Sequence, residues 1–212
     1  MRDLFYRTMV VFVLIVGVCW AVPEPSLVPG PLVWTVDVKF EHPQQIEVKL
    51  AGDKKPVRFW YAILTLTNNT KRDVDFFPKC DLMTDTFQVI PAGKGVPESV
   101  FEQIKLRHQA KYPFLENLER TSNRLLQGQD NAKDVAVIWA DFDGKAKRVK
   151  LFAGGFSNET VVIEHPVAKD QAGESVKIFL RKTLVIDYKI IGDPAFRSQS
   201  NLVYEGRKWV MR

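Results

Sequence analysis

Residue types that support catalysis are sparse in this chain of 212 residues, which contains three histidines and two cysteines. A serine nucleophile on a sharp turn typically lies in a Gly-x-Ser-x-Gly motif, and the sequence contains none. His42 and His165 each precede a proline and are predicted at strand ends. His108 has helical spacing from Ile104 and is expected at the edge of an apolar helix face. The sequence therefore predicts no catalytic residue and a protein that is not an enzyme.

Metal-binding motifs are also missing, since the sequence has no H-E-x-x-H, no C-x-x-C and no closely spaced histidine pair. Cys80 and Met83, joined by a histidine from elsewhere in the fold, form an alternative copper-binding set that the linear spacing does not support. Residues 141–144, DFDG, begin like a calcium loop, but basic residues follow where oxygen ligands are needed. We therefore predict no metal ion and no other cofactor, and a hairpin turn at 143–144.

The densest positive patch consists of Lys145, Lys147, Arg148 and Lys150. These side chains are the candidate surface contact, because clustered cations attract an anionic polymer such as a lipid headgroup or a cell-wall component. The alternative is that they keep a hairpin tip and a sheet edge soluble and unpaired. The whole chain has 30 basic and 25 acidic residues, and its net charge of +5 is too mild to indicate nucleic-acid binding. We expect no nucleic-acid partner.

Two further features bear on surface chemistry. Cys80 lies in the apolar segment FFPKCDLM and is expected to be a small buried side chain rather than a reactive thiol. Asn68-Asn69-Thr70 and Asn158-Glu159-Thr160 are sequons at predicted turns, which a eukaryotic secretory pathway would be able to glycosylate.

Residues 1–21, MRDLFYRTMVVFVLIVGVCWA, have a basic start, an apolar middle and a small-x-small end, as a secretory signal peptide does. We predict cleavage after Ala21 and an exported protein: periplasmic, at the cell surface or secreted. The uncharged stretch 8–23 is 16 residues long, short of the ~20 that span a bilayer. An uncleaved membrane anchor is the alternative. Cleavage leaves 28 basic and 24 acidic residues, a net charge of +4, and one cysteine, so no internal disulfide is expected.

The remaining chain is divided into a proline-rich spacer, 22–32, and a single domain, 33–212. Short alternating segments separated by turn residues predict nine or ten strands. The nearly continuous apolar segment 57–67, VRFWYAILTLT, is typical of a strand that is covered on both faces. Residues 84–90 are predicted to form another strand, and Glu205-Gly206 to be the turn of a final hairpin.

A helical insertion is predicted over 97–127, lying across the end or face of a sheet. Its first part has apolar residues at helical spacing after Pro97, a residue accepted in a helix's first turn. Its second part, 114–126, places its leucines roughly on one side, and Pro113 separates the two parts.

Residues 60–89, WYAILTLTNNTKRDVDFFPKCDLMTDTFQV, resemble a theme of exported bacterial immunoglobulin-like domains. An aromatic-rich strand ends in a Thr-x-Asn turn, a short strand ends at Phe-Pro, and a further strand opens with an acidic residue. The segments QGQDNAKDVAVIWADFD, GGFSNETVVIEHP and WVMR are similar to uncharacterised exported bacterial proteins. The resemblance implies a fold rather than an activity, and such domains bind, space or anchor. Antibody-type domains are not implied, because paired core cysteines are missing.

The predicted fold is thus mainly β, an immunoglobulin-like antiparallel β-sandwich with a helical insertion. We expect an exported, non-enzymatic protein that acts through surface contacts with a protein or a cell-envelope component. One alternative is a carrier of a small ligand or of a metal such as copper in the periplasm. Another is a membrane-anchored scaffold that keeps residues 8–23 as a helix, which is the only case in which a membrane contact is expected.

Overall fold

The computed structural model describes residues 26–27, 33–193, 198 and 200–212. The predicted signal peptide and most of the predicted spacer lie outside the described residues. The described chain is mainly β, as predicted, and contains a single α-helix. No helix in this part of the chain has the length and apolar character needed to cross a membrane.

The elements in chain order are β1 (Ser26–Leu27), β2 (Asp37–Phe40), β3 (Gln44–Val48), β4 (Val57–Asn68), β5 (Val74–Asp75), β6 (Lys79–Thr84), β7 (Val89–Pro91), α1 (Glu98–His108), β8 (Glu116–Asn117), β9 (Arg124–Leu125), β10 (Gly128–Ala140), β11 (Arg148–Gly154), β12 (Thr160–Lys169), β13 (Ser175–Ile191) and β14 (Asn201–Met211).

The chain forms two compact units. Of the described residues, the smaller unit comprises Ser26 and Val162–Phe179. It carries most of β12, the start of β13, and the turn between them, in which Asp170 Oδ1 accepts hydrogen bonds from the amides of Ala172 and Glu174. The larger unit comprises Leu27–Val161 and Leu180–Arg212 and contains the remaining elements.

Two sheets face each other in the larger unit. One has the strand order β14-β13-β11-β6-β7, and the other has the order β2-β4-β10-β8, with β3 also on β4. All of these pairs are antiparallel except β8 with β10. Because alternate residues of a strand point to opposite faces, one face of each sheet supplies the core between them. The largest side chains of this core include Trp60, Trp139, Phe76, Phe156 and Tyr188.

The sheet built on β4 is covered on both faces, as the continuous apolar segment predicted. Its second face presents Phe59, Tyr61 and Ile63 to a separate apolar cluster that includes Phe101 and Ile104 of α1. Burial of a large apolar side chain contributes about 1.5–3 kcal/mol. Helix α1 packs on the outer face of the sheet that contains β4 and shields that face from water.

The predicted helical insertion over 97–127 is wrong in its extent. The helix covers Glu98–His108, whereas 114–126 forms turns and the two short strands β8 and β9. Leu115, Leu118 and Leu125 are buried, but the amide of Leu118 donates to the carbonyl of Ala136 in the sheet at 3.1 Å. These leucines have the spacing of a helix face, but they reach the core from short strands and turns.

The predicted strand over 84–90 is also wrong in its extent, because only its first residue and its last two lie in strands. The strand before it is β6, which contains Cys80, and residues 85–88 form the turn between β6 and β7. The amide of Phe87 donates to the carbonyl of Thr84 at 3.1 Å. Thr84 Oγ1 accepts a hydrogen bond from the amide of Gln88 at 3.0 Å. Threonine is common in strands, but the side chain of this threonine closes a turn.

Neither predicted hairpin forms. Asp143-Gly144 connects β10 to β11, which belong to different sheets, so the turn is a crossover between the layers. Glu205-Gly206 lies inside the continuous strand β14, where the register shifts between Asp187 and Tyr188 of β13. Asp187 pairs with Gly206 and Tyr188 with Tyr204, so that Glu205 is the extra residue of a β-bulge.

Candidate functional site

A groove, here called the seam, runs between the edge of β2 and the edge of β14 in the larger unit. Its volume is about 440 Å³, and it is lined by residues 35–39, Leu184 and 207–209. Among the described strands, β2 pairs only with β4, and β14 pairs only with β13. Two sheet edges therefore face one groove, and an exposed sheet edge is where an extended peptide adds as a further strand.

Hydrogen bonds determine which backbone groups of β14 point away from β13. Arg181 and Arg212 exchange both of their main-chain hydrogen bonds, at 2.8 and 3.1 Å. In an antiparallel ladder, bonded and non-bonded pairs alternate, so Lys208 also bonds to β13. The residues whose N–H and C=O groups point away from β13 are Arg207, Trp209 and Met211.

The edge of β2 follows the same alternation. The amide of Glu41 donates to the carbonyl of Ile63 at 2.8 Å, continuing the ladder with β4. The amide of Val36 points the other way and donates to the carbonyl of Phe156 at 2.9 Å. Val38 and Phe40 share the direction of Val36, so their backbone groups point away from β4.

The seam is predominantly positive. Lys39, Arg207 and Lys208 contribute cations, and Asp37 contributes the one carboxylate among the lining residues. Within the described ranges no carboxylate forms an ion pair with any of these three cations, whereas Asp37 Oδ2 accepts a hydrogen bond from Asn69 at 2.6 Å. Unneutralised cations beside an open sheet edge attract an extended chain that carries carboxylates.

Aromatic side chains adjoin one end of the seam. His42 Nδ1 lies 3.3 Å from the hydroxyl of Tyr188, and the His42 ring centroid is 5.3 Å from that of Tyr204. The guanidinium of Arg207 lies 5.7 Å from the centroid of the Phe40 ring. Burial, with a smaller contribution from Tyr204, raises the pKa of Tyr188, so its phenol stays neutral and acts as a hydrogen-bonding group. The cluster fixes β14 to the end of β2 by ring contacts.

The predicted surface residues Lys145, Lys147, Arg148 and Lys150 lie elsewhere, in the β10–β11 connection and in β11. Arg148 forms an ion pair with Glu205 at 3.4 Å, and Lys150 forms one with Asp187 at 3.0 Å. These two cations therefore tie β11 to carboxylates of β14 and β13.

The side chains of Lys145 and Lys147 are exposed. The amide of Lys145 donates to Asp143 Oδ1 at 2.9 Å, and the amide of Lys147 donates to Asp85 Oδ1 at 3.0 Å. The connection is thus held by two carboxylates, which lie among the predicted cations.

The three histidines occupy three separate environments. His42 follows β2 at a strand end, as predicted, but His165 lies within β12, where its Nδ1 accepts the amides of Val167 and Ala168. His108 is the last residue of α1 and contacts Tyr61 at the edge of the apolar face. In the part of the chain that the structure describes, none of these imidazoles is hydrogen-bonded to a serine or a cysteine.

Cys80 is buried as predicted, and burial, together with the charges of Asp81 and Glu119, raises the pKa of its thiol. Cys80 and Met83 are an odd number of residues apart on β6, so they point to opposite faces of the sheet. Over the described ranges, no group of three or more His, Cys, Asp or Glu side chains is placed to hold a metal ion. Asp141 of the calcium-like segment accepts a hydrogen bond from Trp60 Nε1 at 2.9 Å.

The two sequons differ in what the fold does with their asparagines. Asn68 is fully buried, and its amide group donates to the carbonyls of Arg72 and Leu125 at 2.7 and 2.9 Å. Its Oδ1 accepts from the amide and the hydroxyl of Thr70 at 3.0 and 2.7 Å. Asn158 is exposed. Asn68 is therefore a structural residue of the folded domain rather than a surface acceptor.

The seam is not evident from the amino-acid sequence. The cations of β14 lie in the segment NLVYEGRKWVM. The sequence predicts a hairpin turn at Glu205-Gly206 in this segment, whereas the structure has one continuous strand. If Glu205 is treated as a bulge residue, Arg207 and Trp209 fall on one face. Lys39 alternates with Val38 and Phe40 and is visible in the sequence, but nothing in the sequence places it opposite β14.

The sequence matches no protein-family model, and comparisons with curated proteins and with solved structures likewise give no match.

Proposed function

We propose that the protein is an exported, non-enzymatic binding protein with an immunoglobulin-like β-sandwich, and that it binds an extended acidic segment of a partner protein in the seam. The segment adds to β14 as a further antiparallel or parallel strand. The observation that carries this proposal is the row of backbone groups on Arg207, Trp209 and Met211 that points away from β13. An extended peptide supplies the complementary N–H and C=O groups, and its alternate side chains enter the groove.

Charge supports an acidic segment rather than a second copy of the chain. Pairing two β14 edges would bring Arg207 and Lys208 of one copy close to the same residues of the other, and like charges on paired strands are unfavourable. Carboxylates on alternate positions of a strand added to β14 would instead meet Arg207 on one face of that strand or Lys208 on the other. The side chain of Trp209 adds apolar surface beside these cations.

The experiment is a titration of a synthetic peptide of roughly ten residues that alternates valine and glutamate, a length typical of longer strands. The control peptide has lysine in place of glutamate. Binding of the glutamate peptide alone supports the proposal, whereas equal binding of both peptides, or of neither, contradicts it.

Two variants at one position test the backbone contribution. Trp209→Ala and Trp209→Pro both lose the indole, but only proline also loses the N–H that points away from β13. Because that N–H is not used in the ladder, proline is tolerated there as on other edge strands. We expect the glutamate peptide to bind Trp209→Pro roughly tenfold more weakly than Trp209→Ala, about 1.4 kcal/mol. Equal affinities would show that the peptide does not add to β14.

A further inference from the structure

A second concavity, here called the Trp34 cleft, lies in the larger unit and shares no lining residue with the seam. Its volume is about 340 Å³, a size that fits one or two sugar rings. It is formed where the segment before β2, the β5–β6 connection and the β11–β12 connection meet. Its lining includes Trp34, Asp75, Phe77, Gly155 and Arg181.

Two aromatic side chains form the apolar part of the cleft. Phe77 is 69% exposed, although its neighbour Phe76 is fully buried in the core. Trp34 is partly buried, and its main chain is held on both sides: its amide donates to Asn158 Oδ1 at 2.7 Å and its carbonyl accepts from Ser157 Oγ at 2.9 Å. The structure thus presents an exposed aromatic ring beside a tryptophan whose backbone is fixed.

Gly155 holds the Phe77 side of the cleft in place. Its φ is +82°, and a Cβ atom at this position would lie 2.1 Å from the carbonyl oxygen of Phe77. The backbones therefore approach as closely as only glycine allows. Phe77 is exposed on a backbone that is closely packed, so its exposure is not the result of a loose loop.

The charged side chains that line the cleft are one cation, Arg181, and one anion, Asp75. The main chain of Arg181 is paired with Arg212, but no carboxylate among the described residues forms an ion pair with its guanidinium. The carboxylate of Asp75 is 69% exposed, and its nearest cation is Arg124, at 4.0 Å. Arg181 thus offers several donors and Asp75 offers acceptors on the same concave surface.

We propose that the Trp34 cleft binds a saccharide. Each hydroxyl of a sugar both donates and accepts hydrogen bonds, so a sugar matches a cleft that carries a guanidinium and a carboxylate. The C–H face of a sugar ring is apolar and packs against an aromatic ring, as other apolar groups do. A purely anionic ligand is opposed by Asp75, and a purely cationic ligand is opposed by Arg181. This inference does not depend on the seam or on its peptide.

The test is a nuclear magnetic resonance titration of the labelled full chain with three disaccharides: cellobiose, maltose and N,N′-diacetylchitobiose. We expect at least one of them to shift the indole N–H signal of Trp34 in a saturable manner below about 10 mM. The free monosaccharides glucose and N-acetylglucosamine form a parallel arm. Saturation by a monosaccharide at the same concentration identifies a free sugar as sufficient, and saturation by the disaccharide alone identifies a glycan chain.

Variants make the result specific to the cleft. Phe77→Ala and Arg181→Gln each are expected to weaken the disaccharide roughly tenfold. Phe87→Ala is the matched control, because Phe87 is 82% exposed and lies outside the cleft. Unchanged affinity of Phe77→Ala, or a Trp34 signal that none of the five sugars shifts, would overturn the proposal.

Discussion

The phenol oxygen of Tyr61 lies 2.9 Å from Nε2 of His108, which joins β4 to the last residue of α1. Glu41 lies beside this contact and accepts hydrogen bonds from the Tyr112 hydroxyl, at 2.6 Å, and from Lys111. The Tyr61 hydroxyl also accepts a hydrogen bond from Arg107 at 3.4 Å. A polar network thus fastens the C-terminal end of the helix to the sheet.

The first prediction concerns pH. Desolvation lowers the pKa of His108 below its ordinary 6.5, and Arg107 and Lys111 add to that effect, while Glu41 opposes it. Because the unfolded chain then binds the proton more readily, His108 contributes stability that is present above pH 6.5 and lost as the pH falls through its lowered pKa. We expect urea unfolding to show lower stability at about pH 5 than at about pH 7.

His108→Gln is the control for this prediction, since glutamine does not titrate. The variant is expected to have a smaller decrease in stability over the same pH range. Glu41 reinforces the decrease at lower pH: burial raises its pKa, but the hydrogen bonds from Lys111 and Tyr112 outweigh burial and bring it below 4.5. An identical pH dependence in the wild type and His108→Gln would contradict the assignment to His108.

The second prediction concerns Asn68, whose buried side chain makes four hydrogen bonds. Replacing Asn68 by alanine leaves the carbonyl of Leu125 without this donor in a buried site. We expect Asn68→Ala to lower the free energy of unfolding by about 3 kcal/mol. Asn69→Ala removes one exposed hydrogen bond to Asp37 and is expected to cost less than about 1 kcal/mol. Chemical denaturation of both variants checks the difference, and similar losses would be inconsistent with the packing of Asn68.

The third prediction compares two glycines with positive φ. A Cβ at Gly155 would lie 2.1 Å from a backbone oxygen, whereas a Cβ at Gly52, with φ +93°, would meet nothing within 4 Å. Gly52→Ala therefore has only the backbone cost of about 1 kcal/mol. Gly155→Ala is expected to lower stability by more than about 3 kcal/mol or to prevent folding. Thermal unfolding of both variants measures the difference in stability. A Gly155→Ala protein as stable as Gly52→Ala would refute the close approach of Gly155 to Phe77.

The fourth prediction concerns Phe87, which has φ +64° in the turn between β6 and β7. A side chain in this region costs about 1–2 kcal/mol, and this one is exposed and gains little from burial. Phe87→Gly is expected to raise stability by up to about 1 kcal/mol. Phe87→Ala keeps the Cβ and should give no such gain. Calorimetric melting curves for the pair test this, and a loss of stability in Phe87→Gly would show that the aromatic ring is needed.

The sequence predicted the mainly β fold because strand alternation and the apolar segment at β4 depend on local burial. The prediction from sequence failed where one spacing of apolar side chains fits both a helix and a run of turns and short strands. Leu115, Leu118 and Leu125 fit a helix by spacing, yet reach the core from turns. Asp143-Gly144 has the composition of a hairpin turn, but residue types there do not reveal that the flanking strands belong to different sheets.

The seam shows the same limitation. A sheet edge is a property of strand order, and strand order is not encoded in the spacing of Lys39 or Arg207. The bulge at Glu205 is a single extra residue, which the sequence presents as a turn. Both candidate sites therefore depend on the three-dimensional arrangement of β2, β14 and the connections around Trp34, which the sequence pattern does not specify.

Amide hydrogen exchange, measured residue by residue with and without the alternating valine–glutamate peptide, tests strand addition most directly. In the free protein, the amides of Lys208 and Val210 should exchange slowly, and those of Arg207, Trp209 and Met211 should exchange fast. The peptide is expected to slow the last three and leave the first two unchanged. Fast exchange at Arg207, Trp209 and Met211 in the presence of saturating peptide would contradict the account.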